Sequence, residues 1–349
     1  MLVSVIIPTY DRAGLLLQTL AGLCRQTYRP LQIIIVDDGS TDDTWVRLGT
    51  WLEVHAQPSG LDCCRLRQAQ AGPAAARNLG FSVARGDLVQ FLDSDDRLSV
   101  DKLHRQVALL TEEPGLDGVY CAWRSWFDGS LIPYGPQRQT GPITEQEMLL
   151  GYMGGTWFLP PHAYLFRRQL LERIGPWDSK LTYEEDAEYL LRMLAAGARF
   201  GYVPNCAVDY RRHGGPQVSR LRTRDGYQQL WQQSIAFRRQ ICVNLPPAQR
   251  GPALAALAEL AARHQGPPRS GWLLGAAGSG AFARPLNPGR SALIAFGRTP
   301  MGALVRRRFG DGLLAWLGLD AGEEAAPPAV RREQRRRWRG PGGTVKRDD

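Results

Sequence analysis

Three aspartates, Asp93, Asp95 and Asp96, stand directly after the short apolar run at 88–92. Gly86 precedes this run, and a short apolar segment of this kind is typical of a buried strand. Acids at the carboxyl end of a buried strand lie at the edge of an α/β sheet where ligands bind. Since neighbouring carboxylates repel each other, a divalent cation would stabilise the group, and oxygen ligands favour Mg²⁺ or Mn²⁺. Such a metal would bind a diphosphate, and the alternative is a solvated turn that caps the next helix.

Two further segments carry groups that can bind a nucleotide. Asp38 follows an apolar run at 31–36, where a carboxylate can accept a hydrogen bond from a base or a ribose hydroxyl. The alternative is that residues 40–43 only cap the next helix. The segment 72–80 begins with small residues, so that its backbone can approach an anion closely at a helix N-terminus. Arg77 in this segment can reach a phosphate or pair with one of the acids.

The end of the first apolar run offers a contact for a flat heterocycle. Pro8 is predicted to end the first strand, because proline cannot donate to a strand ladder. Thr9 and Tyr10 then lie on a loop above the sheet, and Tyr10 presents a ring face and a hydroxyl. The alternative is a turn leading into a helix that Asp11 caps.

These groups must be positioned by a regular succession of elements in residues 1–125. Predicted strands lie at 2–7, 31–36, 63–67, 88–92 and 118–123. Predicted helices lie at 12–26, 44–55, 74–84 and 100–111. Repeated β-α units predict an α/β protein with a Rossmann-like, mainly parallel sheet flanked by helices.

Beyond residue 125 the pattern is less regular. Gly and Pro interrupt the segment 126–160, and 151–155 is predicted to be a mobile loop. A short strand and helix at 163–173, a helix at 185–196 and a strand at 203–210 follow. Residues 223–319 are Ala-rich with helical character.

The composition is that of a soluble globular protein, with 44% hydrophobic and 22% charged residues. Six cysteines show no metal-ligand spacing, which predicts reduced thiols in the cytosol. No run of about 18 apolar residues is present, and no basic segment precedes the first strand, so we expect neither a membrane span nor a signal peptide. These features predict a cytoplasmic protein.

The net charge of +9 is concentrated at the C-terminus, where residues 331–349 carry eight Lys/Arg and three Asp/Glu. This tail, rich in Pro, Gly and Arg, is predicted to be disordered and solvated, and no nucleic acid partner is expected. Residues 293–319 mix apolar residues with three arginines at 306–308. They predict peripheral contact with the inner face of a membrane.

Five segments in this order resemble the family 2 glycosyltransferases, which have the GT-A fold. They are 4–12, 33–44, 72–80, 86–96 and 183–192. The resemblance implies a GT-A domain at 1–220, whereas pattern and composition predict a C-terminal helical region at 221–320 and a disordered basic tail at 321–349.

The resemblance implies an inverting, metal-dependent glycosyltransferase of hexosyl type. Such an enzyme moves a sugar from a nucleotide-diphospho-sugar to an acceptor hydroxyl. The acceptor would be a saccharide or a lipid-linked molecule, in cell-surface polysaccharide or glycolipid synthesis.

The resemblance also implies a role for individual residues. The implied nucleotide-sugar contacts, with Arg77 added from the argument above, are Pro8, Thr9, Tyr10, Asp38, Arg77, Asp93 and Asp95. The implied ligands of Mn²⁺ or Mg²⁺ are Asp95, Asp96 and His213. Asp186 is the implied catalytic base, although the acidic segment at 184–188 alone would indicate only a helix N-terminus. Trp157, His162 and Trp177 are candidate acceptor contacts, and core packing explains them equally well.

Two other functions are compatible with acids on an α/β sheet. A nucleotidyltransferase typically has a Gly-rich loop with a nearby Lys after the first strand. The three lysines of this chain, at 102, 180 and 346, all lie far from that loop in sequence. A non-catalytic sugar-nucleotide binding protein would not need both the aspartate group and the Glu185-Asp186 pair.

Overall fold

The computed structural model describes residues 1–55, 61–127, 141–212 and 224–264. The strands of this part of the chain are β1 (Val3–Thr9), β2 (Leu31–Asp37), β3 (Asp62–Arg67), β4 (Leu88–Phe91), β5 (Arg97–Leu98), β6 (Gly118–Phe127), β7 (Tyr164–Arg167) and β8 (Phe200–Arg212). Its helices are α1 (Ala13–Cys24), α2 (Thr44–His55), α3 (Pro73–Val83), α4 (Lys102–Glu112), α5 (Glu145–Met153), α6 (Arg168–Ile174), α7 (Glu185–Ala195), α8 (Arg224–Asn244) and α9 (Pro247–His264).

The described strands form one sheet in the order β3-β2-β1-β4-β7-β6-β8-β5. The pairs β2/β3, β1/β2, β1/β4 and β6/β8 are parallel, whereas β7 is antiparallel to both its neighbours and β5 is antiparallel to β8. The predicted mainly parallel α/β sheet is therefore confirmed. The carboxyl ends of β1, β2 and β4 meet at one edge, where the predicted site residues begin.

The central strands are apolar because both of their faces are covered. Every residue of β1 and β2 is buried, as expected for a parallel sheet between two helical layers. Helix α3 packs very closely on this sheet at Gly80. A Cβ built on Gly80 would lie 2.4 Å from Cγ2 of Ile6, so only glycine allows the observed approach.

Two local predictions were wrong. Strand β1 does not end at Pro8 but continues to Thr9, with Pro8 in register with Val36. The backbone of Ile6 accepts from Leu92 on the β4 side and that of Thr9 accepts from Asp38 on the β2 side. Since backbone direction alternates along a strand, the missing N–H of Pro8 points towards β4, which has already ended.

The predicted mobile loop at 151–155 begins as helix instead. Helix α5 runs to Met153 and starts at a capping box, in which Thr144 and Glu147 exchange side-chain to backbone hydrogen bonds. Gly151 is required by packing, because a Cβ there would lie 2.5 Å from Cβ of Trp157. The glycines of this segment therefore serve close packing, which glycine content alone does not distinguish from loop flexibility.

The chain continues as helix after the sheet. Helix α8 packs against α7, and α9 packs against α5 and α8, so both contact the sheet-bearing part of the chain. The predicted helical character after 223 is thus found up to His264, and the predictions for 265–349 lie outside the described residues. Among the described helices, none has the length and apolar character needed to cross a membrane.

Candidate active site

Asp38, at the end of β2, holds the loop that leads into α3. Its Oδ1 accepts hydrogen bonds from Gln68 Nε2 at 2.7 Å and Ala71 N at 2.8 Å, and its Oδ2 accepts from Gly72 N at 2.8 Å. Gly72 has a φ of 90°, which favours glycine. The carboxylate thus fixes the start of the small-residue helix beside the predicted nucleotide site, a structural role that the sequence did not indicate.

The end of β1 forms the neighbouring wall. Thr9 is buried, and its Oγ1 has no hydrogen-bond partner among the described residues. Tyr10 is half-buried. Asp11 does not cap α1, whose N-cap is Arg12, and instead accepts from the backbone N–H groups of Thr41 and Asp42. The loops after β1 and β2 are therefore joined, and Thr9 brings a buried hydroxyl to their junction.

Arg77 links the first aspartate to the acidic start of α7. Its guanidinium is almost fully buried and donates to Asp93 Oδ1 at 2.9 Å and to Glu185 Oε1 at 3.1 Å. Burial alone would lower the pKa of Arg77, but the two carboxylates outweigh it and raise the pKa. The guanidinium also lies 4.5 Å from the ring centroid of Trp177. Arg77 therefore connects two segments that are 92 residues apart in sequence.

Asp93, Asp96 and His162 form a compact group in which one ligand atom of each lies within 4.8 Å of the others. His162 is fully buried, and its Nδ1 lies 3.2 Å from Asp96 Oδ2. This contact lacks hydrogen-bond geometry, and neither ring nitrogen nor Oδ2 has a hydrogen-bond partner in the described structure. Buried polar atoms without partners are costly, and a shared cation would satisfy them.

The electrostatics of this group also fit a cation. Burial, with Asp95 and Asp93 nearby, raises the pKa of Asp96 well above its usual range. Burial lowers the pKa of His162 to about 3, so that the ring is neutral and able to bind a metal. A mixed carboxylate and imidazole donor set suits Mn²⁺ better than Mg²⁺, which prefers oxygen.

The structure thus brings Asp93 and Asp96 together, whereas Asp95 forms an ion pair with Arg12. Asp95 Oδ2 lies 2.8 Å from Arg12 Nη1. The turn between these acids is fixed by Thr19, whose hydroxyl donates to the backbone carbonyls of Ser94 and Asp96. His213 lies outside the described residues, so its predicted place beside the metal stays a prediction.

Asp186 lies in the first turn of α7, half-buried, and accepts a hydrogen bond from Ala187 N at 2.8 Å. Burial, reinforced by the neighbouring charge of Glu185, raises the pKa of Asp186 to about 7. A carboxylate with such a proton affinity can accept a proton near neutral pH and so act as a general base.

The sequence missed the place of His162 in the aspartate group. From the sequence, His162 was predicted only as a candidate acceptor contact, because no motif or regular spacing connects residue 162 with residue 96. Trp177 is buried, stacked on Tyr189 with centroids 4.2 Å apart. Core packing and the contact with Arg77 therefore account for Trp177, while Trp157 packs on Gly151.

Known proteins resemble this chain in sequence. Residues 4–175 match the sequence profile described as "Glycosyl transferase family 2". The amylovoran biosynthesis glycosyltransferase AmsB of Erwinia amylovora is 28% identical over 213 residues, covering 59% of this chain and 68% of AmsB. WfaP of Escherichia coli, a UDP-Glc:alpha-D-GlcNAc-diphosphoundecaprenol beta-1,3-glucosyltransferase, is 35% identical over 112 residues, covering 32% of this chain and 42% of WfaP. The matches cover less than two thirds of the length of most of these curated relatives, for example 54%, 43% and 42% of three of them.

The fold has a counterpart among solved structures. Residues 1–349 of TarS from S. aureus, in complex with UDP-GlcNAc, match with a TM-score of 0.61 at 22% identity, covering 79% of this chain and 76% of that chain. This likeness concerns the fold and agrees with the predicted GT-A class. The ordered motifs, the family profile and the sheet together show that the chain belongs to glycosyltransferase family 2 and has the GT-A fold.

Proposed function

We propose that this protein is an inverting glycosyltransferase that moves a hexosyl group from a nucleotide-diphospho-sugar to an acceptor hydroxyl, with Asp186 as the catalytic base. One observation carries the proposal. Of the three consecutive acids at 184–186, which span the N-cap and the first two residues of α7, Glu184 pairs with Arg238 and Glu185 with Arg77. In the described part of the chain, Asp186 is the member without an arginine partner, and its pKa is raised to about 7.

The proposed reaction is a single displacement. As the acceptor oxygen bonds to the anomeric carbon, the bond from that carbon to the diphosphate oxygen breaks, and the configuration inverts. Asp186 accepts the proton from the hydroxyl, which keeps the attacking oxygen from accumulating positive charge. The nucleoside diphosphate leaves with the electron pair of the broken bond.

The proposed donor site lies where β1, β2 and β4 end. The proposed nucleotide contacts are Pro8, Thr9 and Tyr10 at the end of β1 and Asp38, which fixes the loop that leads into α3. Arg77 and Asp93 border the diphosphate and the sugar. We propose a UDP-sugar as donor, because TarS binds UDP-GlcNAc and WfaP is named for UDP-Glc.

The proposed metal ligands are Asp93, Asp96 and His162, with Asp95 and His213 as further candidates from the sequence. Bound Mn²⁺ or Mg²⁺ would neutralise the charge of the departing diphosphate. The unsatisfied buried atoms of Asp96 and His162 support this assignment. Asp95, held by Arg12, would stabilise the turn that carries the other two acids.

We also propose the wider setting of the enzyme. The acceptor is a saccharide or a lipid-linked saccharide, as the name of WfaP suggests for that relative, and the product serves cell-surface polysaccharide synthesis. Residues 1–220 form the catalytic domain and the helices from 221 a second region. The site of action is the cytoplasmic side of a membrane, contacted through 293–319.

A thermal-shift screen of UDP-, GDP-, dTDP- and CMP-sugars with and without Mn²⁺ tests the donor site. A ligand that binds only the folded state raises its stability, so one nucleotide should shift the melting temperature in a metal-dependent way. The metal assignment predicts that Asp96→Asn and His162→Ala abolish the Mn²⁺ effect. A folded protein that no donor stabilises would refute the donor site.

The catalytic assignment needs a separate measurement. Asp186→Asn should bind the donor as the wild type does and release no nucleoside diphosphate. Asp178→Asn provides a matched control, because Asp178 is an exposed acid that lies outside the proposed site. Full turnover by Asp186→Asn would remove Asp186 from its role.

A further inference from the structure

Glu184, two residues before the proposed base, has an unusual backbone conformation. Its φ of 56° and ψ of 29° lie in the left-handed region, which is unfavourable for a non-glycine residue. It occupies the N-cap of α7 without making a side-chain cap hydrogen bond. Such a conformation persists only where surrounding contacts impose it, and here it sets the direction in which Glu185 and Asp186 leave the helix start.

The contacts that impose it come from the C-terminal helix α8. Arg238 is almost fully buried, and its Nη1 donates to Glu184 Oε2 at 2.7 Å. The hydroxyl of Ser234, one turn earlier and fully buried, donates to the same oxygen. Two donors on one helix therefore bind one carboxylate oxygen at the start of another.

Arg238 also contacts α5. Its Nε donates to the backbone carbonyl of Tyr152 at 3.0 Å, in the last turn of α5. This carbonyl also accepts a hydrogen bond from Gly155 N at 3.3 Å, so the guanidinium is a further donor to the end of α5. A single guanidinium thus joins the end of α5 to the start of α7.

We propose that Arg238 and Ser234 of α8 are positioning residues, which hold Glu184 in its left-handed conformation and thereby aim the Asp186 carboxylate at the acceptor hydroxyl. The C-terminal helical region then completes the active site rather than merely following it. This inference rests on the proposed function, since it assigns Asp186 the role of base. It adds a requirement for residues about 50 positions downstream of the base.

The charges around Asp186 give the inference a readout beyond stability. Facing Asp186 are Glu184 and Glu185 on its own helix, Arg77 from α3, Tyr152 from α5 and Tyr164 from β7. The charge of Glu184 raises the pKa of Asp186, and Arg238 neutralises Glu184. Removing Arg238 should therefore raise the pKa of Asp186, whereas removing the charge of Glu184 should lower it.

The test measures UDP release from UDP-glucose and UDP-GlcNAc, with water as acceptor, between pH 5.5 and 9. Arg238→Met and Ser234→Ala should slow UDP release on the order of 10- to 100-fold, the usual effect of misaiming a catalytic group. The Kd for UDP, from calorimetry, should change less than about twofold, because the hydrogen bonds of Arg238 and Ser234 go to Glu184 and Tyr152 and not to the proposed donor residues.

The pH profile separates positioning from simple stabilisation. Arg238→Met should move the acidic limb of the pH–rate profile to higher pH by roughly half a pH unit, because the negative charge of Glu184 is no longer neutralised by Arg238. Glu184→Gln should move the acidic limb to lower pH. Arg239→Met is the matched control, since Arg239 is the exposed neighbour of Arg238 on the same helix, and it should change neither rate nor limb.

Two outcomes would overturn the inference. One is that Arg238→Met and Ser234→Ala behave like Arg239→Met. The other is a loss of rate that only follows the loss of folded protein, with the acidic limb unmoved in every variant, which would make the network purely structural. Ser234→Ala removes a single hydroxyl, so it keeps the test decisive if Arg238→Met fails to fold. If wild type and Asp186→Asn release UDP equally, the proposed function itself has failed and the inference falls with it.

Discussion

Arg77 makes the most consequential ion pairs of the site, and its replacement by methionine gives a quantitative test. Its side chain is 4% exposed, and it donates to carboxylates at 2.9 and 3.1 Å. Methionine keeps the apolar stem against Trp177 but removes the charge, leaving Asp93 and Glu185 without their cation. Their side chains are 30% and 15% exposed.

The expected cost follows from this burial. Removing one partner of a buried pair typically costs 3–5 kcal/mol, and the partial exposure of Asp93 favours the lower limit of about 3 kcal/mol. For a domain of this size, that corresponds to a fall in melting temperature of about 6–12 °C. Arg173→Met is the matched control, because Arg173 pairs with Asp117 at 3.1 Å but is 50% exposed. Exposed pairs contribute about 0–1 kcal/mol, so the control should lose less than about 4 °C.

Calorimetry on both variants, with and without Mn²⁺, is the assay. Since Asp93 belongs to the proposed metal group, Mn²⁺ should recover part of the loss in Arg77→Met and none in Arg173→Met. Adding Glu185→Gln should also recover part, because it removes one of the two unpaired charges. Equal losses in Arg77→Met and Arg173→Met would refute the view that burial gives this pair its strength.

Three further predictions concern other parts of the fold. The carboxyl of Asp186 has a pKa raised to about 7 in the folded protein, against 3.8 for an ordinary Asp, so the folded state binds more protons between these values and loses stability as pH rises through them. Asp186→Asn should therefore melt higher than the wild type at pH 8 and close to it at pH 4, as calorimetry across pH would show. Gly80→Ala should destabilise by about 1–3 kcal/mol in urea unfolding, because the added Cβ meets Ile6, whereas Gly14→Ala in open space should stabilise α1 by up to about 1 kcal/mol. Thr144→Ala should cost about 1 kcal/mol by removing the capping box of α5, and Thr144→Ser should restore most of it in the same assay.

The predicted strands and helices of the first 125 residues are all present, because their signals are local. Apolar runs of five or six residues bounded by Gly, Pro or Asp give strands, and 3.6-residue periodicity gives helices. The errors arose where a neighbouring element decided the outcome. Pro8 is tolerated in a strand because β4 has already ended beside it, and Gly151 lies in a helix at a point where Trp157 leaves no room for a side chain.

Roles within the site divide in the same way. The order of the motifs indicated Asp38, Asp93 and Asp186 as functional residues, and the structure places them around one edge of the sheet and the start of α7. That Asp96 faces His162 while Asp95 faces Arg12 depends on the direction of each side chain in a turn. The side chains of consecutive residues in a turn point in different directions, and the residue types do not predict the direction of each one.

The sequence by itself determined the fold class, the family and the set of acids proposed to form the site, since these follow from short-range patterns and their order along the chain. Only the tertiary structure decided which charges meet. Arg77 joins Asp93 to Glu185 and Arg238 joins Glu184 to Tyr152. These four contacts join residues that are 16 to 108 positions apart in sequence, and their geometry depends on how the sheet and helices pack rather than on any local pattern.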